Sequence, residues 1–72
     1  MPFTDTQRAK AVEVAVAFIQ RELYIRMRLN PETNPAEIWA TVTFDGRIRI
    51  GTPVLHTGQG FYVNQSGNWK EA

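Results

Sequence analysis

The chain has no cysteine among its 72 residues. Disulfides and thiolate metal sites are therefore excluded as sources of stability. A domain of this length buries only about 60% of the surface that its unfolded chain exposes, so it is marginally stable without further support. With disulfides excluded, association with a second chain is the remaining way to bury more apolar surface.

Side chains that carry catalysis are equally scarce, with one histidine, His56, and one serine, Ser66. A Ser-His-acid arrangement would need both of them together with Asp5 or Asp45, and no nucleophile-elbow spacing is present. No metal-ligand spacing surrounds His56. The glycine-rich residues 58–60 lack the Lys-Ser/Thr pair and the following helix of a phosphate-binding loop. The sequence predicts a protein that is not an enzyme, with no catalytic residues, cofactor or metal.

Charge is nearly balanced, since eight basic and seven acidic residues give a net charge of +1. This value is too small to imply nucleic acid or anionic lipid as a partner by itself. The longest apolar stretch, residues 11–19, is interrupted by Glu13 and is far shorter than the ~20 residues of a membrane span. The first five residues lack the basic start and apolar run of a signal peptide. We therefore expect a cytoplasmic protein that does not enter a membrane.

A single long helix is predicted over residues 5–29. Thr4 and Gln7 have the spacing of a capping box, and Asp5 is favourable in the first turn near the positive end of the helix dipole. The Asn30-Pro31 pair ends the helix, because the residue before proline is disfavoured in helical conformation. A polar loop follows over residues 30–35.

This helix carries two apolar stripes, separated by roughly a third of a turn. The first stripe consists of Val12, Val16, Ile19, Leu23 and Met27. The second stripe consists of Ala11, Val14, Phe18, Ile25 and Leu29. Between them lie Arg8, Ala15, Glu22 and Arg26. A small sheet can cover one stripe only, so we expect the other to form an interface, with Val14, Phe18, Ile25 and Leu29 as its contact residues.

After the loop, apolar residues alternate with polar ones from Ile38 to Phe44, which is typical of a half-buried strand. Asp45-Gly46 indicates a hairpin, and a three-residue bulged turn that places Val42 opposite Ile48 keeps the isoleucines on the apolar face. The returning strand is expected to resume at residues 54–56 after a bend at 51–53. A third strand at residues 61–65 and a short edge piece at 69–71 are expected after turns at 57–60 and 66–68. The sequence predicts one α+β domain over residues 1–72, in which the helix packs on an antiparallel meander of three or four strands spanning about 36–71.

The bulged turn places Trp39, Arg47 and Arg49 together on the sheet face away from the helix, where Tyr62 and Lys70 extend the set. An aromatic ring can stack on a base while guanidinium groups hold phosphates, so this face is a candidate nucleic-acid surface. The competing interpretation is an ordinary solvent-facing sheet surface, on which threonine and arginine are common.

Residues 42–66 resemble the septation regulator (SpoVG) family. The similar stretches are Val42-Thr43-Phe44-Asp45-Gly46, the alternating Arg47-Ile48-Arg49-Ile50, and Gly58-Gln59-Gly60-Phe61-Tyr62-Val63. The resemblance implies a small dimeric sheet protein that binds nucleic acid and regulates expression. In that family the helix follows the sheet, whereas here it precedes the sheet, so no functional residues are carried over.

Two functions are therefore expected to compete. The first is a small binding module of the adaptor or inhibitor type, which associates with itself as a homodimer or with another protein through the second stripe. The second is a nucleic-acid-binding regulator that uses Trp39, Arg47 and Arg49.

Overall fold

The structure is a computed structural model that describes residues 3–35 and 38–72. One helix, α1 (Asp5–Leu29), precedes four strands: β1 (Trp39–Thr43), β2 (Ile48–Ile50), β3 (Gly60–Asn64) and β4 (Trp69–Glu71). The predicted α+β class, with a helix packed on an antiparallel four-stranded sheet, is confirmed. The predicted start of the sheet region, at residue 36, lies outside the described residues.

Both ends of α1 follow from local side-chain chemistry. The Thr4 hydroxyl accepts a hydrogen bond from the Gln7 backbone N–H at 3.2 Å, and the Gln7 side chain accepts one from the Thr4 N–H at 2.9 Å. This is the predicted capping box. At the other end Asn30 turns to an extended conformation, while its N–H still donates to the Arg26 carbonyl at 2.7 Å.

The β1–β2 hairpin has the predicted bulged turn. Val42 lies opposite Ile48, and the Thr43 N–H donates to the Arg47 carbonyl at 2.9 Å. Gly46 closes the turn with a φ of 93°, a left-handed conformation that costs glycine little. The local pattern therefore determines the register of this hairpin.

The strand order is β2-β1-β3-β4, which differs from the predicted meander. In a meander β3 would pair with β2, whereas here it pairs antiparallel with the other edge of β1, with Val42 opposite Phe61. The segment from residue 51 to residue 59, here called the crossover, must therefore pass over β1. The predicted strand at residues 54–56 is wrong, because this stretch belongs to the crossover and forms no ladder.

The crossover runs across the sheet face opposite the helix. The Tyr62 hydroxyl donates to the Pro53 carbonyl at 3.0 Å and accepts from the Leu55 N–H at 3.2 Å. The Thr41 hydroxyl donates to the Gly51 carbonyl at 2.8 Å, and Thr41 is only 1% exposed. Gly51 has a φ of 111° where the chain leaves β2, and Pro53 lacks the N–H that a continuing ladder would need.

The core lies between α1 and the inner face of the sheet. Its buried apolar residues are Ala15, Ile19, Leu23, Ile38, Ala40, Val42, Phe61 and Val63. Ala15, which sequence analysis placed between the two stripes, is fully buried, and its small side chain lets the helix approach the sheet closely. Near the start of the helix the ring of Phe3 packs edge-on against Phe44 at a centroid distance of 5.5 Å.

Candidate interaction surfaces

The sheet covers the first apolar stripe of α1 as far as Leu23, and it leaves Met27, which is 42% exposed, and much of the second stripe uncovered. In the first stripe Ile19 and Leu23 are buried. In the second stripe Phe18 and Ile25 are each 45% exposed and Leu29 is 84% exposed, while Val14 is half-buried. The structure therefore places the four predicted interface residues on the helix side that the described part of the sheet does not cover.

The last turns of α1 project beyond the sheet. Leu23 is the last buried residue of the helix, and we call the segment after it, Tyr24–Leu29, the distal helix segment. A helix of 25 residues is about 37 Å long, whereas a five-residue strand spans about 17 Å. The longest molecular dimension, 39 Å, reflects this projection.

The distal helix segment is apolar on most sides. Its four exposed apolar residues are Tyr24, Ile25, Met27 and Leu29. Since successive residues of a helix are rotated by about 100°, these side chains point in several different directions. A helix that is apolar all round is normally buried. The segment therefore has more apolar surface than its own sheet can cover.

Two basic residues interrupt this apolar surface. The Arg26 guanidinium pairs with the Glu22 carboxylate at 2.9 Å, the helical ion pair expected from their spacing. The Arg28 guanidinium lies 5.8 Å from the centroid of the Tyr24 ring. In the described ranges 3–35 and 38–72 no carboxylate pairs with Arg28, and no cation pairs with Glu32 in the loop that follows.

Shallow grooves flank the protruding Leu29 side chain. One groove, of about 330 Å³, is lined by Tyr24, Ile25, Arg28 and Leu29. A second, of about 550 Å³, lies between the helix end and the loop, and its lining residues are Arg26, Leu29, Asn30, Glu32, Thr33 and Asn34. The loop is ordered by Asn30, whose side chain accepts from the Glu32 N–H at 3.1 Å and whose carbonyl accepts from the Thr33 hydroxyl at 2.8 Å. A protruding apolar side chain and concave surfaces thus occur side by side.

The second predicted surface is the outer sheet face. Strand alternation places Trp39, Arg47 and Arg49 on this face, and Arg49 lies in one cross-strand row with Thr41, Tyr62 and Lys70. The Lys70 ammonium lies 5.0 Å from the centroid of the Trp39 ring, so a cation lies against the ring that a base would stack on. The crossover covers the centre of the row at Thr41 and Tyr62. The three predicted residues share a face, but they do not form a continuous flat platform.

Arg47 also has a local role in the β1–β2 turn. Its guanidinium lies 3.5 Å from the Asp45 carboxylate. The Thr43 hydroxyl donates to the same carboxylate and is the main reason that the pKa of Asp45 lies below its ordinary value, with further contributions from the Arg47 N–H and its charge. Arg49 is exposed, and its side chain has no ion pair with any other described residue.

The residues with catalytic potential lie in turns. The His56 backbone N–H donates to the Gln59 side chain at 3.0 Å. The Ser66 backbone N–H donates to the Asn64 side chain, also at 3.0 Å, within the β3–β4 turn. Throughout residues 3–35 and 38–72, no group of three or more His, Cys, Asp or Glu side chains is placed to hold a metal ion.

Two contributors to the exposed helix end, Tyr24 and Met27, are absent from the predicted interface, although they are 65% and 42% exposed. Tyr24 belongs to neither stripe and Met27 to the first, so periodicity alone does not select them. The signal that was available is length, because the helix is much longer than the strands it packs on.

Comparison with known proteins gives no match: no family model, no curated protein and no solved structure is similar to this chain. The resemblance of residues 42–66 to the septation regulator family therefore stays a prediction. Within the described part of the chain, no helix combines the length and apolar character needed to cross a bilayer.

Proposed function

We propose that this protein is a small non-enzymatic binding module, located in the cytoplasm, that acts by occupying a surface of a protein partner. Its binding surface is the uncovered side of α1, formed by Val14, Phe18, Ile25 and Leu29 and extended by Tyr24. The observation that carries the proposal is the exposure of large apolar side chains along one helix, with Leu29 84% exposed.

Removal of these apolar side chains from water would supply the free energy of binding. Burying apolar surface contributes about 25 cal/mol per Å², so covering one such side chain contributes roughly 1.5–3 kcal/mol. Several of them lie on one helix, and exposed apolar side chains grouped on one element are a feature of protein–protein contact sites. An adaptor or an inhibitor needs no more chemistry than such a surface supplies.

Affinity capture from the source organism, read by mass spectrometry, tests this proposal. Phe18→Asp and Ile25→Asp should each abolish the captured set of proteins, because a carboxylate at the centre of an apolar contact would be desolvated. Val54→Asp is the matched control. Val54 is an apolar residue, 88% exposed, and it belongs to the crossover, which runs across the sheet face opposite the helix. Thermal unfolding of each variant checks that it remains folded. Capture of the same proteins by wild type and both helix variants would contradict the proposal.

Nucleic-acid binding by a SpoVG-like regulator is the second candidate function. The free guanidinium of Arg49 and the row that leads to Lys70 favour it, whereas the crossover and the Lys70–Trp39 contact oppose it. A nuclease-treated arm of the same capture experiment distinguishes the two. Proteins that bind the helix directly are still captured after nuclease treatment, whereas proteins held through nucleic acid are no longer captured.

A further inference from the structure

We propose that the partner of the distal helix segment is a second copy of this chain, which packs against the same segment about a twofold axis. This inference rests on the proposed function, since it names the occupant of that same binding surface. Three observations support it: the area that the chain exposes, the shape of the surface and its charges.

The exposed area is larger than a compact monomer requires. The chain exposes 5117 Å². A compact monomer with its mass of 8.2 kDa would expose about 4500 Å². The excess of about 600 Å² is close to the ~800 Å² that each partner buries in a standard interface. Burial of about 600 Å² on each of two copies would total about 1200 Å², the lower end of the range for specific interfaces.

The segment presents both a protrusion and a shallow recess. Leu29 protrudes and, with Tyr24, Ile25 and Arg28, lines the groove of about 330 Å³. In a twofold interface the same patch serves on both copies, so each must present both a protrusion and a recess. The Leu29 side chain of one copy enters the groove of the other, and the reverse contact follows by symmetry.

The charges are complementary in the same sense. Arg28 lacks a carboxylate partner and Glu32 lacks a cationic partner in the described residues of a single chain. The two residues lie on either side of the helix end, where α1 gives way to the loop. Across a twofold axis Arg28 of one copy faces Glu32 of the other, and the pair occurs twice. Each pair at the rim contributes specificity more than affinity.

Sedimentation equilibrium over a range of protein concentrations tests the inference. The wild-type protein should show twice the 8.2 kDa chain mass, and Leu29→Asp should show the chain mass alone. Leu29 is 84% exposed, so the variant should fold normally. Val54→Asp, which places the same charge at a residue 88% exposed, should remain dimeric. A wild-type protein that is monomeric at every concentration would overturn the inference, as would a Leu29→Asp protein that stays dimeric.

A charge exchange adds a test that folding defects cannot imitate. Arg28→Glu and Glu32→Arg should each weaken self-association by about tenfold, which corresponds to about 1.4 kcal/mol. An equimolar mixture of the two variants should associate as tightly as the wild type, since both pairs then join opposite charges. Equal weakening of the mixture would contradict the twofold arrangement.

These outcomes separate this inference from the proposed function. If the wild type is monomeric and Phe18→Asp no longer captures its proteins, the proposed binding function stands and the self-association is wrong. If the wild type is dimeric and the helix variants capture the same proteins as the wild type, self-association stands and the adaptor role is wrong.

Discussion

At the residue scale, Gly60 allows the backbones of β1 and β3 to approach each other closely. It lies opposite Thr43, at the start of β3. A methyl group at this position would overlap the Val42 carbonyl oxygen and would lie 2.9 Å from the Thr43 Cα. Glycine is required here because no space remains for a side chain. The neighbouring atoms of Val42 and Thr43 belong to the backbone and cannot move without displacing β1.

Replacing Gly60 with alanine should therefore destabilise the fold. We expect Gly60→Ala to lower the free energy of unfolding by roughly 1–3 kcal/mol, the range for overpacking. Gly46→Ala is the comparison that isolates backbone strain from crowding, because nothing lies within 4 Å of a methyl group there while the φ of 93° disfavours any side chain. Urea unfolding measures both. A Gly60→Ala midpoint equal to that of the wild type would show that β1 and β3 can separate at no cost.

Ala15 shows how one small residue changes the interpretation of a helix. Helical periodicity divides the apolar surface of α1 into two stripes with Ala15 between them, and the structure buries Ala15 completely. The helix approaches the sheet through Ala15, Ile19 and Leu23, which lie along one line at steps of four. The side chain of alanine is small and only weakly hydrophobic, so periodicity does not identify it as the centre of the buried face between the larger residues on either side.

At the element scale, the crossover is held by few contacts, and the Tyr62 hydroxyl supplies two of them. It donates to the Pro53 carbonyl and accepts from the Leu55 N–H. Each hydrogen bond contributes about 0.5–1.5 kcal/mol. Removing the hydroxyl leaves both backbone groups without this partner, although the sheet beneath remains intact.

Tyr62→Phe should loosen the crossover and leave the rest of the fold unchanged. We expect about 1–2 kcal/mol of lost stability, together with faster hydrogen exchange at the Leu55 amide. Tyr24→Phe is the matched control, since Tyr24 is exposed and its hydroxyl has no hydrogen bond to the described residues. Unchanged exchange at Leu55 in Tyr62→Phe would mean that other contacts anchor the crossover.

Elements with local signals were predictable and the path of the chain between them was not. The capping box at Thr4 and the left-handed glycine at Gly46 determine the helix start and the first hairpin within a few residues of sequence. Whether the third strand joins β2 or the free edge of β1 depends on contacts between distant residues. Both alternatives keep Phe61 and Val63 on the apolar face, so alternation cannot distinguish them.

The candidate site was predictable to the same degree and for the same reason. The surplus apolar surface of α1 follows from helical geometry and from the small size of the sheet. Strand alternation is enough to place Trp39 and Arg49 together on the outer sheet face. The crossover covers part of that face, and the predicted meander has no segment that would cross the sheet there.

At the scale of the whole molecule, a small core and an extended helix are two consequences of one sequence. Eight buried apolar residues form the described core, which is a small number for a chain without disulfides. The distal helix segment adds length and apolar surface without adding to that core. If two copies bury this segment against each other, the association contributes stability that the isolated chain lacks.

Thermal stability should therefore depend on protein concentration. When folding is coupled to dimer formation, mass action stabilises the folded state as concentration rises. A hundredfold increase should raise the Tm of the wild type by roughly 5–10 °C for a chain of this size. Leu29→Asp should unfold at a lower temperature that does not change with concentration, whereas Val54→Asp should follow the wild type. Calorimetry at low and high concentration measures all three proteins, and a wild-type Tm that does not move would mean that each chain is stable alone, with its helix end left to water.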